Sequence, residues 1–243
     1  MSRVYSDTVL PEDSGVSQDL TLGTTGDTVQ VTSGASLNTN TFKDAGGNTI
    51  FVSDGSGNLS SVNSSMTGNP GLITTNTVTG GSASAFTTGI DSTKKLYIFK
   101  FYQINPATDD VHFQFQFSSD SGSSYGMTIT SAFFRAYHYE NDSASAVTYQ
   151  TTYDLAQSTS YQSVMYGMGN DTIAGGAGEL HLFNPSSTTF VKQFYCTTNS
   201  KHSNDYSLNT YCGGYINSTS AVNAINFQMS SGNFDGVIKM YGM

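Results

Sequence analysis

The stretches GELHLFNPSSTTFVKQFYC, residues Gly178–Cys196, and INFQMSSGNFDGVIKMYG, residues Ile225–Gly242, decide the fold class of this 243-residue chain. Apolar and polar residues alternate in both, and clusters of Asn, Pro, Ser and Gly interrupt the alternation. A period of two is typical of strands that bury one face, and small polar clusters are typical of turns. We therefore predict an all-β domain whose last strand, Val237–Tyr241, inserts into a sheet.

The same alternation extends upstream. The segment VHFQFQF at Val111–Phe117 is the most regular, and it predicts a strand with its phenylalanines on one face and its histidine and glutamines on the other. Only Tyr153–Ser158 indicates a helical turn. Many short strands separated by turns predict an antiparallel, jelly-roll-like β-sandwich over residues 85–243. Further candidate strands are Lys95–Gln103, Tyr125–Tyr139, Ala146–Thr152, Tyr161–Gly167, Glu179–Phe183, Thr189–Thr197, Tyr206–Ile216 and Val222–Met229.

The N-terminal part is organised differently. GDTVQVTSG at Gly26–Gly34 and GNTIFVSDG at Gly47–Gly55 share one pattern of Gly, Thr and alternating apolar residues. Repeated short strands cannot bury their apolar faces alone. We therefore expect residues 20–70 to form an extended β shaft or arm that is buried against other copies of the chain or against a neighbouring protein. Residues 1–19 are predicted to be an attachment segment or a frayed terminus, and the Gly-rich residues 71–84 a linker.

Composition and charge exclude several classes of protein. Charged residues make up 11% of the chain and hydrophobic residues 37%, yet 15 Tyr and 15 Phe argue against a disordered chain. The net charge is −9, and the nine Lys and Arg residues are scattered, so a nucleic-acid or anionic-membrane surface is not expected. No apolar run has the length of a membrane span, and the N-terminal sequence has no apolar core of a signal peptide. The chain combines the polar, tyrosine-rich composition of an extracellular β protein with the lack of an export signal. A virion protein made in the host cytoplasm would have both properties, and an unusual cytosolic β protein is the alternative.

The sequence offers little chemistry, and we expect no catalytic, cofactor-binding or metal-binding residue. Ser124 lies in a Gly-x-Ser-x-Gly pattern, but β-type sequence on both sides predicts a hairpin turn instead of a nucleophile elbow. The glutamates Glu12, Glu140 and Glu179 have no obvious acidic partner, which disfavours a polysaccharide-degrading enzyme. The four histidines His112, His138, His181 and His202 lack metal-ligand spacing.

Two groups of acidic residues are candidates for a calcium site. The segment Asp54–Asn58 resembles the start of a calcium loop, but Ser65 stands where an EF-hand has its glutamate, so a tight turn is predicted. Asp109, Asp110 and Asp142 could join an irregular calcium site in a loop, and the sequence does not decide this.

Cysteines and tyrosines are the remaining functional candidates. Cys196 and Cys212 lie in candidate strands, where two reduced, packed thiols are favoured over a disulfide. Tyrosine suits protein interfaces, and it also suits stacking on sugars, although the lack of Trp argues against a dedicated lectin. The tyrosines in or near loop-rich segments are Tyr137, Tyr139, Tyr153, Tyr161 and Tyr166.

Three segments resemble known proteins. HLFNPSSTTFVK at His181–Lys192 and MSSGNFDGVIKMYG at Met229–Gly242 resemble poorly characterised structural proteins of marine tailed phages. NTFKDAGGNTIFVSDGSGNLSSV at Asn40–Val62 resembles the segment that often precedes this domain. The resemblance implies a virion component, whether a fibre, a head decoration or a tail-associated protein. It implies no catalytic or ligand-binding residue.

These observations predict a non-enzymatic virion protein, a head-decoration or fibre-type appendage. Its N-terminal part would bind other capsid or tail proteins, and its C-terminal sandwich would project. A tail-fibre domain that binds a host-receptor glycan is the alternative. Apolar residues are too sparse over residues 20–66 for an independent core, which favours a homotrimer, and an arm docked on the capsid is the competing arrangement.

Overall fold

Strands are the only regular elements in the computed structural model, which describes residues 41–44, 46–56, 58–62 and 70–243. The chain divides into two compact units, Met1–Asn63 and Ser64–Met243. Within the described ranges, no helix is long and apolar enough to cross a membrane. The all-β class is therefore confirmed. The predicted attachment segment at residues 1–19 and the repeat copy Gly26–Gly34 lie outside the described residues.

The first unit contains a three-stranded antiparallel meander. It consists of β1 (Thr41–Lys43), β2 (Thr49–Ser53) and β3 (Leu59–Val62), in that order. Phe42 and Phe51 are register partners, and their rings stack with centroids 4.8 Å apart. Both side chains remain half-buried, because three short strands have little surface with which to cover them.

Both turns of this meander are built on one aspartate and one asparagine. Asp54 accepts hydrogen bonds from the backbone N–H groups of Ser56 and Asn58, at 2.7 and 3.1 Å. The side-chain amide of Asn58 donates to the second carboxylate oxygen at 3.0 Å. Asp44 and Asn48 make equivalent contacts in the preceding turn. The tight turn predicted at Asp54–Asn58 is therefore present.

The second unit contains one antiparallel sheet of 12 strands. One part, here called the large half, has the order β4-β15-β6-β11-β12-β13-β8-β9, and the other, the small half, has the order β10-β7-β14-β5. A single register pair, Met168 with His202, joins the halves through β10 and β12. The strands are β4 (Gly71–Gly81), β5 (Ala83–Phe86), β6 (Leu96–Pro106), β7 (Val111–Ser118), β8 (Ile129–Tyr139), β9 (Ser145–Tyr149), β10 (Gln162–Met168), β11 (Gly176–Phe183), β12 (Lys192–His202), β13 (Tyr206–Ile216), β14 (Ala224–Met229) and β15 (Phe234–Gly242).

Phenylalanines pack the two halves together into a barrel-like domain. Phe113, Phe115 and Phe117 of β7 are fully buried, so the apolar face predicted for this strand is confirmed. Across the halves, Phe113 meets Phe101 edge-to-face at 5.3 Å, and Phe115 meets Phe194 at 5.4 Å. Such pairs contribute about 0.5–1.5 kcal/mol each beyond the area that they bury.

The opposite face of β7 is less exposed than its pattern predicts. Gln116 is fully buried because its side-chain amide donates to the carbonyls of Thr159 and Ser160, at 3.0 and 2.9 Å. Its oxygen accepts the backbone N–H of Phe117. A loop after β9 therefore covers this part of the strand.

The predictions for residues 71–84 and for Tyr153–Ser158 were wrong. Residues 71–84, predicted to be a linker, form β4 and the start of β5, and β4 pairs with β15 from Gly71↔Gly242 to Gly81↔Phe234. Threonine and glycine dominate β4, which hides its alternation. The predicted helical turn at Tyr153–Ser158 is a loop that ends in an isolated bridge between Ser158 and Ile129.

Candidate functional site

Four of the five tyrosines singled out in the sequence meet at one end of the second unit. Tyr137 and Tyr139 project from β8, and Tyr166 from β10, while Tyr153 lies in the loop after β9. The rings of Tyr153 and Tyr166 stack with centroids 4.2 Å apart. The fifth, Tyr161, instead accepts a hydrogen bond from the amide of Asn226 at 3.0 Å.

Arg135 lies at the centre of this end. It is two residues before Tyr137 on β8, so both side chains are on the inner side of the strand. Its guanidinium carbon is 4.6 Å from the ring centroid of Tyr137. Nη1 donates hydrogen bonds to the hydroxyls of Tyr166 and Tyr206, the second at 3.3 Å, and Nε donates to Thr148 at 3.3 Å. Packed around Arg135 are the other members of what we call the Arg135 cluster, namely Tyr137, Tyr139, Tyr153, Tyr166, Tyr206, His112 and His202.

The two histidines of the Arg135 cluster are held in the neutral form. Nδ1 of His112 accepts the backbone N–H of Gly167, and Nδ1 of His202 accepts that of Asn204, both at 3.1 Å. Burial lowers the pKa of His112, and burial lowers the pKa of His202 to about 4. Since each Nδ1 acts as an acceptor, each ring carries its proton on Nε2.

Gly167 makes this packing possible. It adopts a φ of 58°, a conformation that glycine tolerates, and a Cβ at this position would collide with the imidazole of His202. The sequence shows a glycine between Tyr166 and Met168, but it gives no sign that a histidine 35 positions further on lies against it.

The second candidate is the outer surface of the large half, which carries aromatic side chains in register. Tyr241 of β15 pairs with Ile98, Ile98 with His181, and His181 with Tyr195. A neighbouring row continues through Tyr211, Phe134 and Tyr149 on β13, β8 and β9. We call this surface the outer aromatic face, and its residues are Leu72, Tyr102, Phe134, Tyr149, His181, Tyr195, Tyr211 and Tyr241.

Side chains on the outer aromatic face are ordered by stacking and still remain accessible. His181 stacks on Tyr195 with centroids 4.5 Å apart, and Phe134 stacks on Tyr211 at 4.8 Å. Tyr195 is 44% exposed, Phe134 42% and Tyr149 53%. His181 is fixed from both sides, because its ring nitrogens contact Glu179 at 2.8 Å and the hydroxyl of Tyr195 at 3.2 Å.

Other sequence candidates do not assemble into a site. Ser124 donates to Asp120 at 2.5 Å in the loop between β7 and β8. The hairpin predicted there is wrong, since β7 lies in the small half and β8 in the large half. Asp142 contacts His138 at 2.9 Å. In the part of the chain that the structure describes, no three His, Cys, Asp or Glu residues are grouped as metal ligands.

Cys196 and Cys212 are buried free thiols in register on β12 and β13. Burial raises the pKa of Cys212 to about 12, and it also raises the pKa of Cys196. Both cysteines therefore stay protonated and pack as small apolar side chains.

Comparison with known proteins gave no relative: no family model matches the chain, and no curated protein or solved structure matches it either.

Proposed function

We propose that this chain is a non-enzymatic structural protein of a tailed-phage particle, a head-decoration or fibre-type appendage. The N-terminal part, up to residue 70, attaches to capsid or tail proteins, and the second unit projects as a jelly-roll-like sandwich. The observation that carries the proposal is the outer aromatic face. The resemblance of the sequence to phage structural proteins supplies the type of particle.

The outer aromatic face has the size and chemistry of a protein contact surface. Eight strands spaced about 4.8 Å apart give a face about 35 Å wide. A stable interface needs only about 800 Å² from each partner. Exposed aromatic side chains are enriched at the centres of such interfaces, and large accessible apolar patches on monomers usually mark contact sites.

The three-stranded meander supports self-assembly into a homotrimer. Its stacked Phe42 and Phe51 stay half-buried on a sheet of three short strands, and so small a module usually gains stability from oligomerisation. Three copies around an axis would cover these rings and would complete the shaft proposed for residues 20–70. Closed cyclic symmetry also avoids open-ended association.

Antibody labelling of purified particles tests the virion role. Antibodies raised against the second unit, used in electron microscopy on the phage that encodes this chain, are expected to label the head surface or the tail. Labelling of the head would identify a decoration, and labelling of a fibre would identify a fibre component. Particles that contain no copy of the chain by mass spectrometry would refute the proposal.

Recognition of a host-surface glycan is a second candidate, favoured by the exposure of Tyr195. Its ring stacks on His181 and the residue remains 44% exposed, as a platform for stacking on a sugar requires. Tyr195→Ala should abolish binding to purified host polysaccharide, whereas Tyr149→Ala, at the edge of the sheet, should preserve it. Equal binding by both variants would argue against this candidate.

A further inference from the structure

Arg135 has hydrogen-bond donors that the protein does not use. A guanidinium carries five N–H groups. Nε and the two N–H groups of Nη1 are accounted for by Thr148, Tyr166 and Tyr206. The two N–H groups of Nη2 have no partner among the described residues. Only Tyr125 Oη and Ser200 Oγ are both buried and unpartnered there, so Nη2 is in contact with solvent.

Arg135 also has no carboxylate partner within ion-pair distance among the described residues. Every ion pair between described residues uses a lysine or a histidine as the cation, and none includes Arg135. Its side chain is half-buried and lies over the ring of Tyr137. A partly desolvated guanidinium without a carboxylate is a strong site for one, because charge-assisted hydrogen bonds are about twice as strong as neutral ones.

The neighbouring phenols extend this donor set. Tyr166 and Tyr206 accept hydrogen bonds from Arg135, so their own O–H groups point elsewhere, and no described residue accepts from them. Burial raises the pKa of Tyr166 to about 12, so this hydroxyl remains a donor at neutral pH. The side chains of Tyr166 and Tyr206 are both buried, so these phenols lie beneath an anion that binds at Nη2.

We propose that the Arg135 cluster binds the carboxylate of an acidic saccharide of the uronate type. The guanidinium and the phenol groups hold the carboxylate. The half-buried ring of Tyr139 supplies flat apolar surface for the C–H face of a sugar ring, and the hydroxyls of Tyr137 and Tyr139 are partners for its hydroxyl groups. This site is separate from the outer aromatic face, and it does not depend on the virion role.

Ligand-observed NMR with the full chain tests the proposal, with D-glucuronate as the probe. D-glucose provides the ring without the carboxylate, and acetate provides the carboxylate without the ring. We expect saturation transfer to glucuronate at millimolar concentration, with binding at least tenfold tighter than for glucose or acetate. Because the chain has 15 Tyr and no Trp, quenching of tyrosine fluorescence gives an independent readout.

Variants connect this binding to Arg135. Arg135→Gln should weaken glucuronate binding about tenfold or more, since it removes a charged donor. Tyr206→Phe keeps the ring and should weaken binding severalfold. Lys95→Gln is the matched control, because it removes one positive charge at an exposed position immediately before β6, and it should leave binding unchanged. Melting curves confirm that each variant is folded.

Three results would overturn the proposal. No binding of glucuronate by the wild-type chain would assign Arg135 a structural role only. Acetate that binds as tightly as glucuronate would show a carboxylate site without a sugar site. Binding that survives both Arg135→Gln and Tyr206→Phe would place the ligand elsewhere. If Arg135→Gln does not fold, Tyr206→Phe alone decides.

Discussion

Phe115 lies where the two halves of the sheet meet, and its ring is inaccessible to solvent. It contacts Phe117 at 5.0 Å, Phe194 at 5.4 Å and Phe227 at 6.3 Å, measured between ring centroids. Phe117 is on the same strand, β7, whereas Phe194 is on β12 and Phe227 is on β14. Phe115 therefore joins three strands that no local sequence signal connects.

Truncating this side chain should therefore be costly. Phe115→Ala is expected to lower the free energy of unfolding by about 3–5 kcal/mol, because the rigid aromatic neighbours leave a cavity. Urea denaturation followed by circular dichroism measures the effect. Gln114→Ala, on the opposite and half-buried side of β7, is the control and should cost less than about 1 kcal/mol. Similar losses for both variants would contradict this account of the core.

His202 should make stability depend on pH. Its folded-state pKa of about 4 is below the ordinary value near 6.5, because burial, Arg135 and His112 disfavour the charged ring more than Asp109 and Asp110 favour it. The contribution of His202 is complete above about pH 6.5 and is lost as the pH falls towards 4, since the unfolded chain then binds the extra proton.

We expect the wild-type domain to lose roughly 2 kcal/mol over this window, after allowance for solvent screening. Thermal melts between pH 7 and 4 measure the loss. His202→Gln should flatten this dependence, although His112 preserves part of it. Gln114→Ala, which removes no titratable group, is the control and should leave the shape of the profile unchanged. A wild-type profile that is flat down to pH 4 would refute the lowered pKa.

At the scale of elements, β15 joins the terminal strand β4 to the rest of the large half. It lies between β4 and β6, and its register runs along nearly its whole length on both sides. Its inward residues Ile238 and Met240 are fully buried. Removing β15 would leave two unpaired edges that no remaining strand can cover.

Deleting Val237–Met243 should therefore prevent soluble folding. The expected result is aggregated protein in the pellet after expression, while a variant that lacks residues 1–19 remains soluble. Sedimentation and circular dichroism of both proteins provide the comparison. A truncated chain with wild-type solubility and an unchanged melting temperature would show that β15 is dispensable.

The sequence predicted strands well where apolar and polar residues alternate clearly, as in β7. It failed for β4, whose Thr and Gly residues resemble a linker, and it ended the strand now seen as β12 too early. That strand continues to His202 because Thr198 and Ser200 occupy its inner face in place of apolar residues. A polar side chain in the core breaks the pattern on which strand prediction depends.

The Arg135 cluster could be foreseen only in part. The excess of tyrosine near loops is visible in the sequence, but nothing there relates these tyrosines to Arg135, His112 and His202. They come together from β8, β7 and β12, which are distant in sequence, through pairings that only the register of the sheet determines. Charge and periodicity carry no information about such long-range proximity.

At the scale of the whole molecule, the proposed homotrimer makes the clearest prediction. Light scattering of the purified full-length chain at micromolar concentration should give a mass three times that of the 25.9 kDa monomer. A chain without residues 1–70 should be monomeric, because the meander and the proposed shaft are absent. The melting temperature of the second unit should change little in this truncated chain, which would show that the unit remains folded without residues 1–70. A monomeric full-length chain would instead favour an arm docked on the capsid.

The position of β4 beside β15 also has a kinetic consequence. The backbone N–H of Gly80 donates to the carboxylate of Asp235, a contact that spans 155 positions in sequence. Closing so large a loop costs entropy before any contact repays it, and sheets built from distant segments form slowly. Refolding of the second unit should thus pass through a long-lived species in which β4 and β6 are unpaired on the sides that β15 later occupies. During that interval the chain is most vulnerable to aggregation, so dilute conditions should raise the refolding yield.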